Sequence, residues 1–140
     1  MKPFEPLDTT GDAGLKIQSR TPKELFENAA SGMYSLITDT DLIKEKKTIS
    51  IAVQSSSLES LFVSWLNELI FHFDTYGFIG KTMKIDSLSI SKFRLNASVS
   101  GESFDKKRHK SKLLIKAATY HELKIKKTGS IWEASVIFDT

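Results

Sequence analysis

Apolar side chains recur with the period of an α-helix in two stretches, and the first spans residues 21–39. Thr21 is placed to cap this helix, with Pro22 at its first position and Glu24 completing a capping box. Its apolar stripe consists of Leu25, Phe26, Ala29, Ala30, Met33, Tyr34 and Ile37. Gly32 interrupts the helix at a cost in stability, which predicts a close packing contact at that point.

The second helical pattern is longer and more apolar than the first. Its stripe consists of Leu58, Leu61, Phe62, Trp65, Leu66, Leu69, Ile70 and Phe73. Ser56 and Glu59 are predicted to form its capping box, and His72 falls on its polar side. The unbroken stripe predicts that this helix forms the centre of the core.

Most of the remaining chain alternates apolar and polar residues with the period of a β-strand. The predicted strands are Ala13–Arg20, Thr48–Gln54, Met83–Ile90, Lys92–Ser100, Lys112–Ala118, Tyr120–Lys126 and Ile131–Phe138. Thr128 and Gly129 supply a turn before the last of them. The pattern predicts an α+β fold in which two amphipathic helices pack on a mostly antiparallel sheet, as one compact two-layer domain over residues 1–140.

Composition excludes several classes of protein. No apolar run reaches the roughly 20 residues that a membrane-spanning helix needs, and the N-terminus lacks the apolar segment of a signal peptide. The absence of cysteine excludes disulfides and thiolate metal sites. We therefore expect a cytoplasmic protein that does not bind membranes, in which any metal ion is held by oxygen or imidazole.

The net charge of +3 is unevenly distributed along the chain. Residues 105–127 carry nine Lys and Arg against two acids, whereas residues 1–104 carry 11 against 13. Such a basic segment attracts phosphates or an acidic protein surface, although solvated strand faces also account for it.

Motifs for common enzymatic sites are missing from the sequence. It contains no glycine-rich nucleotide loop and no G-x-S-x-G elbow, and its three histidines do not have zinc-ligand spacing. The sequence therefore does not predict an enzyme.

Acidic side chains stand near both ends of the chain. Asp8, Thr10 and Asp12 alternate oxygen donors as in a calcium loop, but the remaining positions do not follow the EF-hand pattern. A third carboxylate is available from Asp139, and Thr140 adds a backbone carbonyl. The two ends together suggest a site for a hard divalent cation, and the alternative is that these acids are simply solvated.

Several blocks of the sequence resemble the archease family, in the same order and over nearly the whole chain. They are LDTTGDAGL, TPKELFENAASGMYSLITD, LFVSWLNELIFHFDT, GESFDKKRH, IKAATYHELKI and WEASVIFDT. Archeases are small metal-binding activators of the RtcB-type RNA ligase, which joins RNA ends in tRNA splicing and RNA repair after GTP-dependent guanylylation of its own histidine. The resemblance implies an α/β fold of two layers and a cation between the N-terminal acidic motif and the C-terminal aspartate.

The resemblance also implies roles for individual residues. Asp12 and Asp139 would be the main metal ligands, with Asp8 and Thr140 contributing, and the ion would be Ca²⁺, with Mg²⁺ or Mn²⁺ as alternatives. The family's first motif usually reads His-Thr-Ala-Asp, whereas this chain has Thr9 in place of the histidine. Six further positions match family blocks and are predicted to be partner-binding or accessory: Glu102, Arg108, His109, Lys116, Tyr120 and His121.

Some of these side chains also have simpler interpretations. Tyr120 and His121 can bridge a strand and the core, and Glu102 can pair with a neighbouring lysine.

The family resemblance implies a non-catalytic activator of an RtcB-type ligase that meets tRNA or other RNA through the ligase. The alternative is a chaperone-like modulator of another tRNA-processing enzyme, such as a tRNA methyltransferase. A direct RNA-binding module is disfavoured because no aromatic and basic stacking platform is present. A metal-dependent nuclease or phosphatase would need more ligands than the sequence offers.

Overall fold

The computed structural model describes residues 1–9 and 12–140, which form eight strands and two α-helices. The helices are α1 (Pro22–Ile37) and α2 (Leu58–Tyr76). The strands are β1 (Phe4–Leu7), β2 (Ala13–Ser19), β3 (Lys47–Gln54), β4 (Phe78–Ser89), β5 (Arg94–Ser103), β6 (Ala117–Ala118), β7 (Lys124–Thr128) and β8 (Ile131–Asp139). None of the helices in these residues is both long and apolar enough to cross a membrane.

The strands form two antiparallel sheets. In the larger sheet β8 is central, with β2 and then β1 on one side and the short strands β6 and β7 on the other. Ala13 pairs with Phe138 and Ser19 pairs with Trp132 along β2 and β8. The smaller sheet has the order β3-β5-β4, with register shifts in β4 between Gly80 and Thr82 and again further along.

Helix α1 packs on strands of both sheets, mainly β2 and β4. The Thr21 side chain accepts a hydrogen bond from the Glu24 amide at 3.1 Å, which confirms the predicted cap. A Cβ atom on Gly32 would lie 2.9 Å from Cδ1 of Leu15 and 3.0 Å from Cγ of Phe4. The predicted close contact at Gly32 is therefore confirmed, and its partners are β2 and β1.

Helix α2 buries the predicted apolar stripe almost completely. The indole nitrogen of Trp65 donates to the carbonyl oxygen of Phe26 at 2.9 Å and so joins α2 to α1. The capping box is formed by Ser57 and Ser60, and the predicted pair was one residue too early. Two helices packed against antiparallel sheets confirm the α+β prediction.

Residues 112–116 do not form the predicted strand, which is reduced to β6. The amides of Lys112 and Leu113 instead donate to the carbonyls of Ile37 and Leu36, at 2.9 and 3.1 Å. These carbonyls lie in the last turn of α1 and have no partner within the helix. The predicted strand was wrong because a helix end, and not a neighbouring strand, pairs with this backbone.

Two other strand predictions need correction. The strand expected at Tyr120–Lys126 is Lys124–Thr128, because residues 120–123 form a turn in which Glu122 has a φ of 53°. Phe93 was predicted inside a strand, but it has a φ of 57° and lies in the turn before β5. Strand β1 was not predicted, because it is short and contains Pro6.

Candidate functional site

A cleft of about 330 Å³ lies at one end of the larger sheet. Its lining residues are Asp8, Thr9, Asp12, His121, Glu122 and Ile137. Three of the predicted site residues, Asp8, Asp12 and His121, are thus brought together from the two ends of the sequence.

The N-terminal wall of the cleft is the connection between β1 and β2. The hydroxyl of Thr9 donates to the backbone carbonyl of Asp12, which ties the two ends of this connection together. A Cβ atom on Gly14 would lie only 3.0 Å from the Thr9 methyl carbon, so glycine allows the connection to lie close over β2. Thr9 therefore has a structural role here. Thr10 lies outside the described residues.

The opposite wall is the turn between β6 and β7. Both the amide and the hydroxyl of Thr119 donate to the carbonyl of Ile137, at 3.0 and 2.8 Å. The His121 amide in turn donates to the Thr119 hydroxyl at 3.3 Å. Glu122 adopts the left-handed conformation, which is uncommon for residues other than glycine, asparagine and aspartate. This turn places an imidazole and a third carboxylate at the cleft, and leaves Tyr120 exposed beside them.

Asp139 is the last residue of β8, and Thr140 follows it directly. Because Ala13 pairs with Phe138, the preceding Asp12 and the following Asp139 stand at the same end of two adjacent strands. The Lys116 amide donates to the Asp139 carbonyl at 2.8 Å, so Lys116 lies beside this strand end with its side chain exposed. Asp139 and Thr140 adjoin the cleft but do not line it.

The donors at the cleft suit a hard cation. Apart from the His121 imidazole, the side-chain donors are carboxylate and hydroxyl oxygens, which Ca²⁺ and Mg²⁺ prefer. Within residues 1–9 and 12–140, however, no three His, Asp or Glu side chains converge closely enough to hold a metal ion. An ion bound here would therefore take backbone carbonyl or water oxygens in addition to one or two carboxylates.

Glu102, Arg108 and His109 form a second group at the end of β5. Glu102 is 3% exposed and its carboxylate is bound by the Arg108 guanidinium through two hydrogen bonds of 2.5 and 2.9 Å. It also accepts the Lys44 amide at 2.6 Å and lies 3.8 Å from the Lys46 ammonium. We call these four residues together with His109 the Glu102 cluster, and it fastens the segment after β5 to the segment before β3.

The tautomer of His109 follows from its two hydrogen bonds. Its Nδ1 atom accepts the amide of Asp105 at 2.8 Å and must therefore be unprotonated. Its Nε2 atom lies 3.0 Å from Glu102 and donates a hydrogen bond to that carboxylate. His109 is thus a neutral hydrogen-bond donor. Both it and Glu102 are buried, which excludes direct contact with a partner and gives them a positioning role, while Arg108 is half-buried.

Glu122 was not among the residues predicted to form the site. Its only local signal is the polar pair His121-Glu122 interrupting a strand-like pattern, which we interpreted as part of a strand. Lys44 and Lys46 were likewise not recognised as partners of Glu102, since Lys44 lies 58 residues before Glu102 in the sequence and no local pattern connects them.

Glu102→Gln is expected to lower the free energy of unfolding by about 2 kcal/mol at pH 7, since hydrogen bonds to a charged group are lost or weakened. The Arg108 hydrogen bonds, together with the Lys44 amide, hold the pKa of Glu102 well below its ordinary value. The carboxylate's stabilisation is therefore complete above about pH 4.5, the unfolded value, and is lost as the pH falls toward the folded value. Urea unfolding at pH 7, 4.5 and 3 should show the gap between wild type and variant narrowing with acid. If the difference in free energy of unfolding between wild type and variant stays constant down to pH 3, Glu102 and Arg108 do not form an ionised pair.

Comparison with known proteins identifies relatives along the entire chain. A model of the archease protein family matches residues 4–140. The archease of Methanosarcina barkeri is 35% identical over 140 residues, covering 99% of this chain and 96% of that protein. The solution structure of protein 1598 from Methanobacterium thermoautotrophicum matches with a TM-score of 0.83 at 31% identity, covering 100% of both chains. The crystal structure of a Thermotoga maritima archease, described as a possible chaperone, covers 97% of this chain and 96% of its own; its TM-score of 0.65 at 21% identity shows the fold alone.

Proposed function

The chain belongs to the archease family, as its sequence blocks predicted, and on that premise we propose that it is a non-catalytic activator of a GTP-dependent RtcB-type RNA ligase. It would promote guanylylation and turnover of the ligase in tRNA splicing or RNA repair. The observation that carries the proposal is the cleft itself, where Asp8, Asp12 and His121 meet next to Asp139. The family resemblance assigns the metal to Asp8, Asp12 and Asp139, and it assigns His121 a partner-binding or accessory role.

The proposed cofactor is a divalent cation, Ca²⁺ in the first instance, held at the end of β2 and β8. Asp12 and Asp139 would be its principal ligands, the Thr140 carbonyl and water would complete the shell, and Asp8 would act on the ion through a water molecule. Bound there, a dication supplies positive charge that a phosphate oxygen or a carboxylate of the partner can share. The pairing of β2 with β8 holds the backbones of Asp12 and Asp139 at adjoining strand ends.

Exposed basic residues support a partner with an acidic surface. Lys116 and Tyr120 are exposed beside the strand end that carries Asp139. Lys106, Lys107 and Lys110 are also exposed, on the segment that follows β5. Exposed charges of one sign accelerate encounter with a partner of the opposite sign. In this proposal RNA is reached through the ligase and is not bound directly.

A reconstituted ligase assay tests the proposal. Purified ligase, GTP and a divalent metal are combined with and without this protein, and ligase guanylylation and RNA joining are followed over time. We expect the protein to raise the guanylylation rate or the number of turnovers several-fold, and to join no RNA by itself.

Equal ligase rates with and without the protein would reject the proposal. The same preparation would then be tested with a tRNA methyltransferase, since a chaperone-like modulator of another tRNA enzyme is the alternative.

A further inference from the structure

An apolar groove of about 350 Å³ lies between the C-terminal ends of the two helices and the segment that follows β5. Its apolar lining consists of Ile37, Phe73, Phe104, Leu113 and Leu114. We call it the 104–114 groove. It is separate from the acidic cleft and shares no lining residue with it.

Hydrogen bonds and aromatic contacts fix the walls of this groove. The Phe104 ring packs edge-on against Phe73 and stacks on His109, with centroid distances of 5.3 Å in both cases. His109 is held in place by the Glu102 cluster. On the other side, the Lys112 amide is bound to the Ile37 carbonyl at 2.9 Å. A preformed groove of this kind loses little conformational entropy when it binds.

Two adjacent leucines on its wall are exposed to solvent. Leu113 is 43% exposed and Leu114 is 63% exposed, although both lie next to the buried side chain of Ile37. Single exposed apolar residues are ordinary, but a contiguous apolar patch beside a groove is typical of a binding surface.

The rim of the groove is basic. Lys106 and Lys112 line it, and Lys107 and Lys110 are exposed in the same segment, whereas Asp105 is the single carboxylate of residues 105–112. The Lys112 ammonium donates to the Ser35 carbonyl at 2.8 Å, which keeps this charge at the rim. A lysine rim around an apolar floor is complementary to a ligand with carboxylates around apolar side chains.

Nucleic acid is a poorer match to the same surface. Single strands are bound by a basic track together with aromatic rings on which the bases stack. The exposed walls of this groove are leucines, and its two aromatic rings, Phe73 and Phe104, are half-buried against each other. The lysines alone would attract phosphates, but the leucines would then remain uncovered.

We propose that the 104–114 groove binds a short acidic and apolar segment of a protein partner. Apolar side chains of that segment would cover Leu113 and Leu114, and its carboxylates would pair with Lys106 and Lys112. The inference stands on the groove alone and does not depend on which enzyme the protein activates.

Methyl-resolved NMR titration with synthetic peptides tests this inference. The first peptide carries leucines at helical spacing with glutamate at the remaining positions, the second replaces glutamate with lysine, and the third replaces leucine with serine. We expect the first peptide to shift the methyl signals of Ile37, Leu113 and Leu114 saturably. Its affinity should exceed that of the other two at least tenfold and should fall at high salt.

Matched variants test whether the first peptide binds in the 104–114 groove. Leu114→Ser and Lys106→Gln should each weaken binding of the first peptide several-fold. Ile90→Ser and Lys92→Gln, which change exposed residues at the distant β4–β5 turn, should leave it unchanged.

The inference would be overturned by the absence of a saturable shift, by equal binding of the lysine peptide, or by tighter binding of an oligouridine RNA that shifts the same signals. Dilution-dependent shifts of the free protein would assign the groove to a second copy of the chain and overturn it as well. None of these results would affect the ligase assay, which can succeed or fail independently.

Discussion

Replacing either Asp12 or Asp139 with alanine is expected to lower the affinity for Ca²⁺ on the order of 100-fold, because a hard cation held by few carboxylates loses a large share of its charge compensation. Isothermal titration calorimetry with Ca²⁺ and then Mg²⁺ measures the effect. The double variant should lose little more than either single variant, since both act on one site. The same substitutions should abolish ligase activation while circular dichroism shows the fold intact, because both side chains are exposed.

Thermal unfolding gives a readout of the same site that does not depend on any ligase. Ca²⁺ at about 100 times its dissociation constant should stabilise the wild type by about 2.7 kcal/mol, but each variant by only about 0.4 kcal/mol, because its affinity is about 100-fold lower. Asp74→Ala is the matched control, since it removes an exposed carboxylate from the end of α2, far along the chain from either strand end. Wild-type affinity in both the Asp12 and the Asp139 variants would mean that these acids are merely solvated.

Gly101→Ala is expected to abolish folding or to cost more than about 4 kcal/mol, out of a total stability of roughly 5–15 kcal/mol. A Cβ atom at this position would lie 1.9 Å from the carbonyl oxygen of Ile79 and 2.8 Å from the Cα of Gly80. Both atoms belong to the backbone of β4, which is paired with β5 and has no side-chain freedom with which to move away. The effect is measured by soluble yield, NMR dispersion and urea unfolding.

Gly129→Ala provides the control for this experiment. Gly129 has a φ of 63° in the turn between β7 and β8, and a Cβ there would meet nothing within 4 Å among the described residues. Its substitution should cost only about 1 kcal/mol, from the left-handed conformation alone. A Gly101→Ala protein that unfolds cooperatively within about 1 kcal/mol of wild type would show that the two strands can separate enough to admit a methyl group.

The helices and the larger strands were predictable because their signals are local. Both helices have a cap and an apolar stripe within one stretch of sequence, and even the close contact at Gly32 could be inferred from the cost of glycine in a helix. Residues 112–116 were not predictable, because their alternation resembles a strand while their backbone pairs with the end of α1. A local pattern shows which face of an element is apolar, but it does not show which other segment of backbone will pair with that element.

The residues of the candidate site were likewise predictable only where their signal is local in the sequence. Asp8, Asp12 and Asp139 were identified because acids at chain ends stand out from an apolar pattern and because family blocks cover them. Glu122 was not identified, since its presence at the cleft depends on a turn with positive φ and on hydrogen bonds to β8. Glu102 was singled out, but its burial depends on contacts with residues 44–46, which no local pattern reveals.

The central position of β8 determines when during synthesis the acidic cleft can form. The smaller sheet and both helices are complete once residue 103 has left the ribosome, whereas the larger sheet lacks its middle strand until residue 139 has been made. At the usual rate of translation this interval lasts a few seconds. The two walls of the acidic cleft, residues 8–12 and 121–122, meet only when β8 inserts beside β2. A chain that still lacks β8 can therefore form the smaller sheet, but it cannot bring the two walls of this cleft together.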